Sequence, residues 1–252
     1  MKVVAFSSLK GGTGKSSLTV LCAKYCAAAG AKVLVIDLDF QNASSYHFSP
    51  DGSTFDAKNM ALVFNTGKLP ENIVPSNRSG IDLIAAHYGL CLIETVGGRV
   101  LKNAMAEAKL KYDVLLIDCP PHWTGIVRNA DNVADLIINP VRITEWDYKG
   151  AVFYRDLVKK HTDGSRAWRV LLNFYRPPRT ENPDAKSVQY EAAFREEFGD
   201  SLLPFTVPQT ALVRDAIDSG THITQAADKA LLFNAIRDIA ALAGIEGDVK
   251  GF

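Results

Sequence analysis

The first forty residues hold the pattern that most restricts how this chain folds. Residues 2–7 (KVVAFS) are a short β-branched run that reads as a strand. Residues 8–15 (SLKGGTGK) are Gly-rich and read as a loop. Residues 16–29 have helical periodicity, with Leu18, Leu21, Cys22 and Tyr25 on one side, and Gly30 then ends the helix. Residues 32–37 (KVLVID) form a second strand with almost no polar alternation, so it needs cover on both faces, as strands of a parallel sheet have. The pattern recurs. Residues 81–85, 114–117, 136–139 and 170–172 are further strand candidates, and 100–111, 146–161, 185–198 and 224–243 are helical. Such alternation predicts an α/β fold: a doubly wound, mostly parallel sheet with helices on both faces. Residues 41–80 and 175–185 are the least regular. With no internal repeat, low-complexity segment or linker, residues 1–252 read as a single domain.

Charge and cysteine content narrow the function classes. Lys plus Arg number 28 and Asp plus Glu 28, so any contact with nucleic acid must come from a local patch. Cys22, Cys26, Cys91 and Cys119 form no CxxC pair, and no His follows at zinc spacing. The leading apolar run is too short for a signal peptide, and no stretch approaches the ~18–20 apolar residues of a membrane span. A reduced, cytoplasmic, soluble protein is expected.

Strand, Gly-rich loop and helix, with Lys15-Ser16-Ser17 at the junction, have the architecture of a phosphate-binding P-loop. Gly11, Gly12 and Gly14 let backbone N–H groups wrap a phosphate without a clashing Cβ. The helix start adds its positive dipole end, Lys15 neutralises the β and γ phosphates, and the Ser16 hydroxyl is placed to ligate Mg2+. One position departs from the common pattern: Leu9 stands where Gly is usual, and Lys10 precedes the Gly pair. The string from Lys10 to Ser17 (KGGTGKSS) resembles the deviant Walker A motif, KGGxGK[ST][ST], of the ParA/MinD class of ATPases. The resemblance implies ATP and Mg2+ as cofactors and assigns Gly11, Gly12, Thr13, Gly14, Lys15, Ser16 and Ser17 to the nucleotide. It also implies a homodimer with ATP sandwiched, in which Lys10 reaches the partner's phosphates.

Three carboxylates accompany the loop. The second strand ends in Asp37-Leu38-Asp39-Phe40-Gln41-Asn42. Alternate residues of a strand share a face, so Asp37 and Asp39 point the same way while the strand persists. This segment resembles the family's DxDPQ switch I, with Phe40 in place of Pro. The family implies that Asp39 positions the attacking water and that Asp37 lies near the metal. The other reading is that one of the two caps the following short helix. The run from Tyr112 to Pro121 (YDVLLIDCPP) places four apolar residues before Asp118, a Walker B form whose carboxylate holds the Mg2+ shell. Cys119-Pro120-Pro121 resembles switch II, and the prolines force the chain out of the sheet.

The resemblance continues loosely to about residue 245. Asn173 matches an Asn near the adenine, or is a strand-end turn residue. Pro208 falls in a segment that lines the base. Cys22 and Cys26, four apart on a helix, read as core, and His122 and Trp123 as loop anchors. Lys159, Lys160, Arg166, Arg176, Arg179, Lys186 and Arg195 could present a basic surface to DNA phosphates or be an ordinary solvated face. The short segment before the loop leaves no room for a helix-turn-helix arm. The final residues are Gly-broken and acidic, against a MinD-like membrane helix. The expected function is a ParA-like ATPase whose dimerisation and slow hydrolysis partition or position DNA or a protein cargo, with a ParB-like stimulating partner and possible non-specific DNA binding. The alternatives are a MinD-like membrane-surface ATPase, an amidoligase or synthetase of the same fold, and a non-hydrolysing regulatory module.

Overall fold

Five-residue apolar strands with no polar alternation are stable only when both faces are covered, and the fold provides that cover. The computed structural model describes residues 1–49, 51–93, 96–105, 112–162, 166–176 and 185–252. The strands are β1 (Lys2–Phe6), β2 (Val33–Asp37), β3 (Val74–Pro75), β4 (Ile81–Ile84), β5 (Val114–Asp118), β6 (Leu136–Val141), β7 (Ala167–Tyr175) and β8 (Leu202–Pro208). They form one sheet in the order β3-β4-β2-β5-β1-β6-β7-β8. Every pairing is parallel except the short β3–β4 edge.

Helices lie on both faces. One face is covered by α1 (Lys15–Ala28), α2 (Ala43–Phe48), α8 (Leu212–Asp218) and α9 (Ala230–Leu242). The other is covered by α3 (Met60–Thr66), α4 (Val100–Ala104), α5 (Gly125–Val133), α6 (Glu145–His161) and α7 (Ala185–Phe198). Strand residues alternate between the two cores: Val4 and Phe6 of β1 face α1, while Val3 and Ala5 face the opposite side. The doubly wound, mostly parallel expectation holds.

Local rules explain the helix ends. After α1, Gly30 adopts φ 88, its N–H donates to Ala27 and the Ala31 N–H to Cys26. That pair of bonds is a Schellman stop, and it needs the left-handed glycine. Gly244 ends α9 in the same way, with bonds to Ala241 and Ala240. Thr144 caps α6, accepting from the Asp147 N–H at 3.2 Å. Glu145 and Asp147 fill the first turn, and Lys159, Lys160 and His161 the last, each matching the helix dipole.

Several elements differ from the sequence reading. The irregular stretch 41–80 holds α2, α3 and β3. Helix α5 was not among the expected helices, although Ile126, Val127, Ala130 and Val133 recur at helical spacing; its Asn129 and Asp131 are polar yet fully buried. The final helix begins at Ala230, not 224. Thr224 instead bridges to Gly251, and its hydroxyl accepts from the Ala226 N–H at 3.3 Å, turning the chain before the helix starts. Residues 106–111 of the helix expected over 100–111 lie outside the described residues, as do 177–184 of the expected loop.

Helix α1 is buried almost all round because α9 and the last residues cover its outer face. Tyr25 meets Phe233 and Phe252 edge-on at 5.7 and 5.4 Å, and Phe252 exchanges two backbone hydrogen bonds with Ile223. Because α1 carries the Gly-rich loop, this cluster holds the loop's helix in place. Phe233→Ala is expected to destabilise the chain by about 3–5 kcal/mol, the range for a buried Phe truncation. Chemical denaturation checks this, and a loss under about 1 kcal/mol would show that the aromatic cluster is not a support of α1.

Candidate functional site

Parallel register brings the reactive candidates together. Phe6 of β1 and Asp37 of β2 both lie opposite Asp118 of β5, so these three strands end at one level. The chain leaves each strand at the carboxyl edge, the edge where open α/β sheets bind ligands. The Gly-rich loop follows β1, Asp39 follows β2, Cys119–Pro121 follow β5, Arg142 follows β6, and Asn173 lies near the end of β7.

The Gly-rich loop is bound from outside. Gly12 and Gly14 have φ 70 and 91. A Cβ on Gly14 would collide with Asn173 Nδ2, and one on Gly12 would stand 2.9 Å from Arg142 Nη2. Nothing lies within 4 Å of the Cβ position of Gly11. The Gly12 carbonyl accepts from Arg142, the Thr13 carbonyl from Asn173 at 2.7 Å, and the Lys10 carbonyl from the Ser8 hydroxyl at 3.1 Å. Thr13 is buried, its hydroxyl 2.9 Å from that of Ser8. Gly14 caps α1 without any side-chain bond, and no acidic residue enters the first turn, so the positive helix end stays available to an anion. Ser16 and Ser17 lie half-buried in that turn.

The two lysines differ. Lys15 is buried, and its ammonium donates to the Lys10 carbonyl at 3.1 Å. Burial lowers its pKa, while the carboxylates of Asp118 and Asp39 pull it back up. The side chain of Lys10 is 44% exposed, yet its ammonium donates to Asp147 Oδ2 at 2.6 Å. Asp147 also accepts from the Thr144 hydroxyl, and its buried Oδ1 has no hydrogen-bond partner among the described residues.

The three carboxylates have separate occupations. Both Asp37 oxygens accept hydrogen bonds: Oδ1 from the Asp39 N–H at 3.0 Å, Oδ2 from the Ser45 N–H and hydroxyl at 2.9 and 2.7 Å. It is therefore the one that caps the short helix α2, and the Ser45 hydroxyl passes the tie to the Ala86 N–H at 3.0 Å. Burial, then the Asp118 charge, push its carboxyl well up. Asp39 is only half-buried and accepts from the Gln41 N–H at 3.0 Å, while Phe40 is exposed. Asp118 is fully buried, with Oδ2 accepting from the Ser44 hydroxyl at 2.6 Å and Oδ1 without a hydrogen-bond partner among the described residues. Burial lifts its pKa to about 6, against the Ser44 and Ser16 hydroxyls and the Lys15 charge.

These features fit a nucleotide with a divalent cation. Asp118 Oδ1 is an orphaned buried acceptor beside Lys15 and the Ser16 hydroxyl. Among the described residues no group of three or more His, Cys, Asp or Glu could hold a metal alone. A magnesium ion that takes most of its ligands from phosphate and water needs no such group.

A buried polar chain supports the loop from behind. The Tyr154 hydroxyl lies 2.5 Å from Ser7 Oγ and 2.9 and 2.8 Å from the two Asp131 oxygens. A phenol has one proton, so Ser7 donates to it when it donates to Asp131. Trp123 packs edge-on against Tyr154 at 5.8 Å, an anchoring role. Asp131, Tyr154, Arg142, Asp147, Ser44 and Ser45 were not legible as site residues, since none lies in a motif and each is brought in by packing.

Other candidates are dispersed. Pro208 lies opposite Tyr175 at the β7–β8 edge, beside the strand end that carries Asn173. Cys22 and Cys26 are core, with sulfurs 3.9 Å apart. The expected basic surface is not one face. Arg166 precedes β7 and Arg176 follows it, roughly 30 Å apart along the strand. Arg195 is paired with Glu191 at 2.6 Å, and Arg179 lies outside the described residues. Instead Arg155, Lys159, Arg166 and Arg169 line a cleft of about 310 Å3 at the amino edge, opposite the Gly-rich loop. Among the described residues no helix is long and apolar enough to cross a membrane.

Comparison with known proteins agrees with this geometry. A family model described as an AAA domain matches residues 1–165. The chromosome partitioning protein ParA of Caulobacter vibrioides is 23% identical over 231 residues, 88% of this chain and 86% of that protein. Among solved structures, the ATP complex of a McdA variant from Cyanothece superposes with a TM-score of 0.82 over 99% of both chains at 20% identity. Cobyrinic acid a,c-diamide synthase from Mycobacterium smegmatis, with bound ADP and magnesium, gives 0.69 over 87% of this chain and 96% of that one at 21% identity.

The buried chain also sets a pH dependence. Burial raises Asp131 to about 7, against the pull of Tyr154. Between about pH 4 and 7 the folded chain holds a proton there that the unfolded chain has lost. This stabilisation is complete below about pH 4 and disappears as pH rises to about 7. Asp131→Asn is expected to lose less stability than the native chain between pH 5 and 8 in urea unfolding, and identical losses would remove Asp131 as the titrating group.

Proposed function

The chain belongs to the AAA-domain family, within it to the ParA-like ATPases of the ParA/MinD class, and from that premise we propose that it works as an ATP-driven switch that positions or partitions a cargo. The observation that carries this reading is the convergence at one sheet edge of Lys10, the Gly-rich loop, Lys15, Ser16, Asp39 and an Asp118 oxygen with no hydrogen-bond partner among the described residues. Gly11 to Gly14 and the α1 end receive the phosphates, and Lys15 neutralises them. Ser16 and Asp118 would hold Mg2+, which would supply positive charge against that of the phosphates. Asp39, less buried than Asp37 and Asp118 and close enough to Lys15 for its charge to act there, orients the attacking water. Asp37 acts through α2, holding the segment that carries Asp39.

Lys10 supplies the switch. Within one chain it is engaged by Asp147, so reaching a second subunit requires that ion pair to open. Opening it leaves a buried carboxylate without its cation, a cost that bound ATP and the dimer contacts must offset. The dimer is thus conditional on nucleotide, as a timed switch demands. At the amino edge Lys159, Arg166 and Arg169 are the candidates for phosphate-backbone contact in place of the longer basic series, Arg155 being held by Glu197 and Asp156. Chromosome partitioning in the name of the Caulobacter relative favours DNA as the surface or cargo.

Two measurements test the reading. Lys10→Ala is expected to bind ATP normally but to lose dimerisation and hydrolysis; a variant that still dimerises and turns over ATP would overturn the role in trans. Duplex DNA binding should appear with Mg·ATP, be absent with ADP, and weaken as salt rises. ATP turnover that appears only with a small carboxylate substrate would instead make this a synthetase.

A further inference from the structure

The Gly-rich loop of this chain is gripped by a residue outside every motif. Arg142, the first residue after β6, donates from Nη2 to the Gly12 carbonyl, and its guanidinium lies over the Phe174 ring, 5.4 Å from the centroid. Phe174 itself has φ 54, a left-handed conformation that a bulky residue adopts only under constraint. The constraint is visible: Asn173 Oδ1 accepts from the Phe174 N–H at 2.9 Å while Asn173 Nδ2 donates to the Thr13 carbonyl at 2.7 Å. The Phe174 ring would be 3.4 Å from a Cβ on Gly14. Arg142, Phe174 and Asn173 therefore form one clamp around residues 12–14, built from the ends of β6 and β7.

We propose that Arg142 is a positioning residue for bound phosphate, acting by fixing the Gly12–Thr13 peptide. This rests on the nucleotide-binding reading above. In a trans peptide the C=O and the following N–H point in opposite directions. Holding the Gly12 carbonyl toward Arg142 turns the Thr13 N–H to the other side of the loop. Asn173, by holding the Thr13 carbonyl, turns the Gly14 N–H in the same way. Glycines at 12 and 14 leave this peptide chain free to rotate, so without the clamp the N–H donors would have to be ordered by the ligand at its own entropic cost. A charged donor on a carbonyl is among the stronger hydrogen bonds, and, although Arg142 is exposed, the Phe174 ring beneath its guanidinium narrows the directions it can take. Arg142 touches the loop through an oxygen, not through an anion, so its hydrogen bond matters more than its charge.

Nucleotide affinity of wild type, Arg142→Ala, Arg142→Gln and Arg142→Lys, measured by calorimetry with Mg·ATP and Mg·ADP beside steady-state turnover, tests the proposal. Arg142→Ala is expected to weaken both nucleotides about ten-fold, the scale of one charge-assisted hydrogen bond, and to raise KM with kcat nearly unchanged. Arg142→Gln, a neutral donor to the same carbonyl, should recover much of that loss. Recovery by neither Gln nor Lys, each a donor to that carbonyl, would overturn the proposal. Unchanged affinity in Arg142→Ala would overturn it too, as would an affinity loss matched by a lower melting temperature without ligand. Failure of wild type itself to bind either nucleotide would instead refute the nucleotide-binding reading, and Lys15→Ala gives the reference for a disabled loop.

Discussion

The site depends on a pair of buried carboxylates held side by side beside a buried lysine. Asp37 and Asp118 are opposite each other in the β2–β5 register, and both are fully removed from solvent. Burial pushes each carboxyl up, and neighbouring charge adds to it, that of Asp118 on Asp37 and that of Asp39 on Asp118. The chain relieves Asp37 with three hydrogen bonds and leaves one oxygen of Asp118 open. One carboxylate thereby becomes scaffold and the other a receptor for positive charge. The raised pKa of Asp118 and the lowered one of Lys15 express the same strain: the protein groups alone disfavour charge that a triphosphate and its cation would neutralise.

Helix α6 and the segment before it link this pocket to the rest of the molecule. Arg142 holds Gly12, Asp147 holds Lys10, and Tyr154 reaches Ser7 at the loop's base. Three points of the loop are thus tied to one continuous stretch, residues 142–154, from another part of the chain. Packed interfaces of this kind switch between discrete arrangements and do not deform smoothly. A displacement of Lys10 toward a second subunit would therefore be felt at the start of α6.

The central architecture and the loop were legible from residues 2–37 because an uninterrupted apolar strand, a glycine-rich turn and a capped helix each have one physical solution. The β5 strand and Asp118 were legible for the same reason. Helix α5 was not expected, although Ile126, Val127, Ala130 and Val133 keep a helical spacing; what no local pattern shows is that Asn129 and Asp131 are buried, with Gly97, Gly125 and Tyr154 as their partners. Strand β8 was seen only as a loose family segment, its mixed burial giving no clean period. The basic surface failed because sequence proximity placed Arg166 and Arg176 together, whereas a nine-residue strand separates them.

By itself the sequence determined the sheet's interior, the anion-ready loop and the residue types that a nucleotide needs, because backbone sterics, periodicity and glycine freedom act over a few neighbouring residues. Only the tertiary structure decided the division of labour: Asp37 as helix anchor, Asp118 as open acceptor, Lys10 engaged by Asp147, and Arg142 and Asn173 closing on the loop. Those roles depend on which oxygen is already satisfied and which charge is already paired. Such facts arise mostly from contacts between residues far apart in the chain, and no local pattern records them.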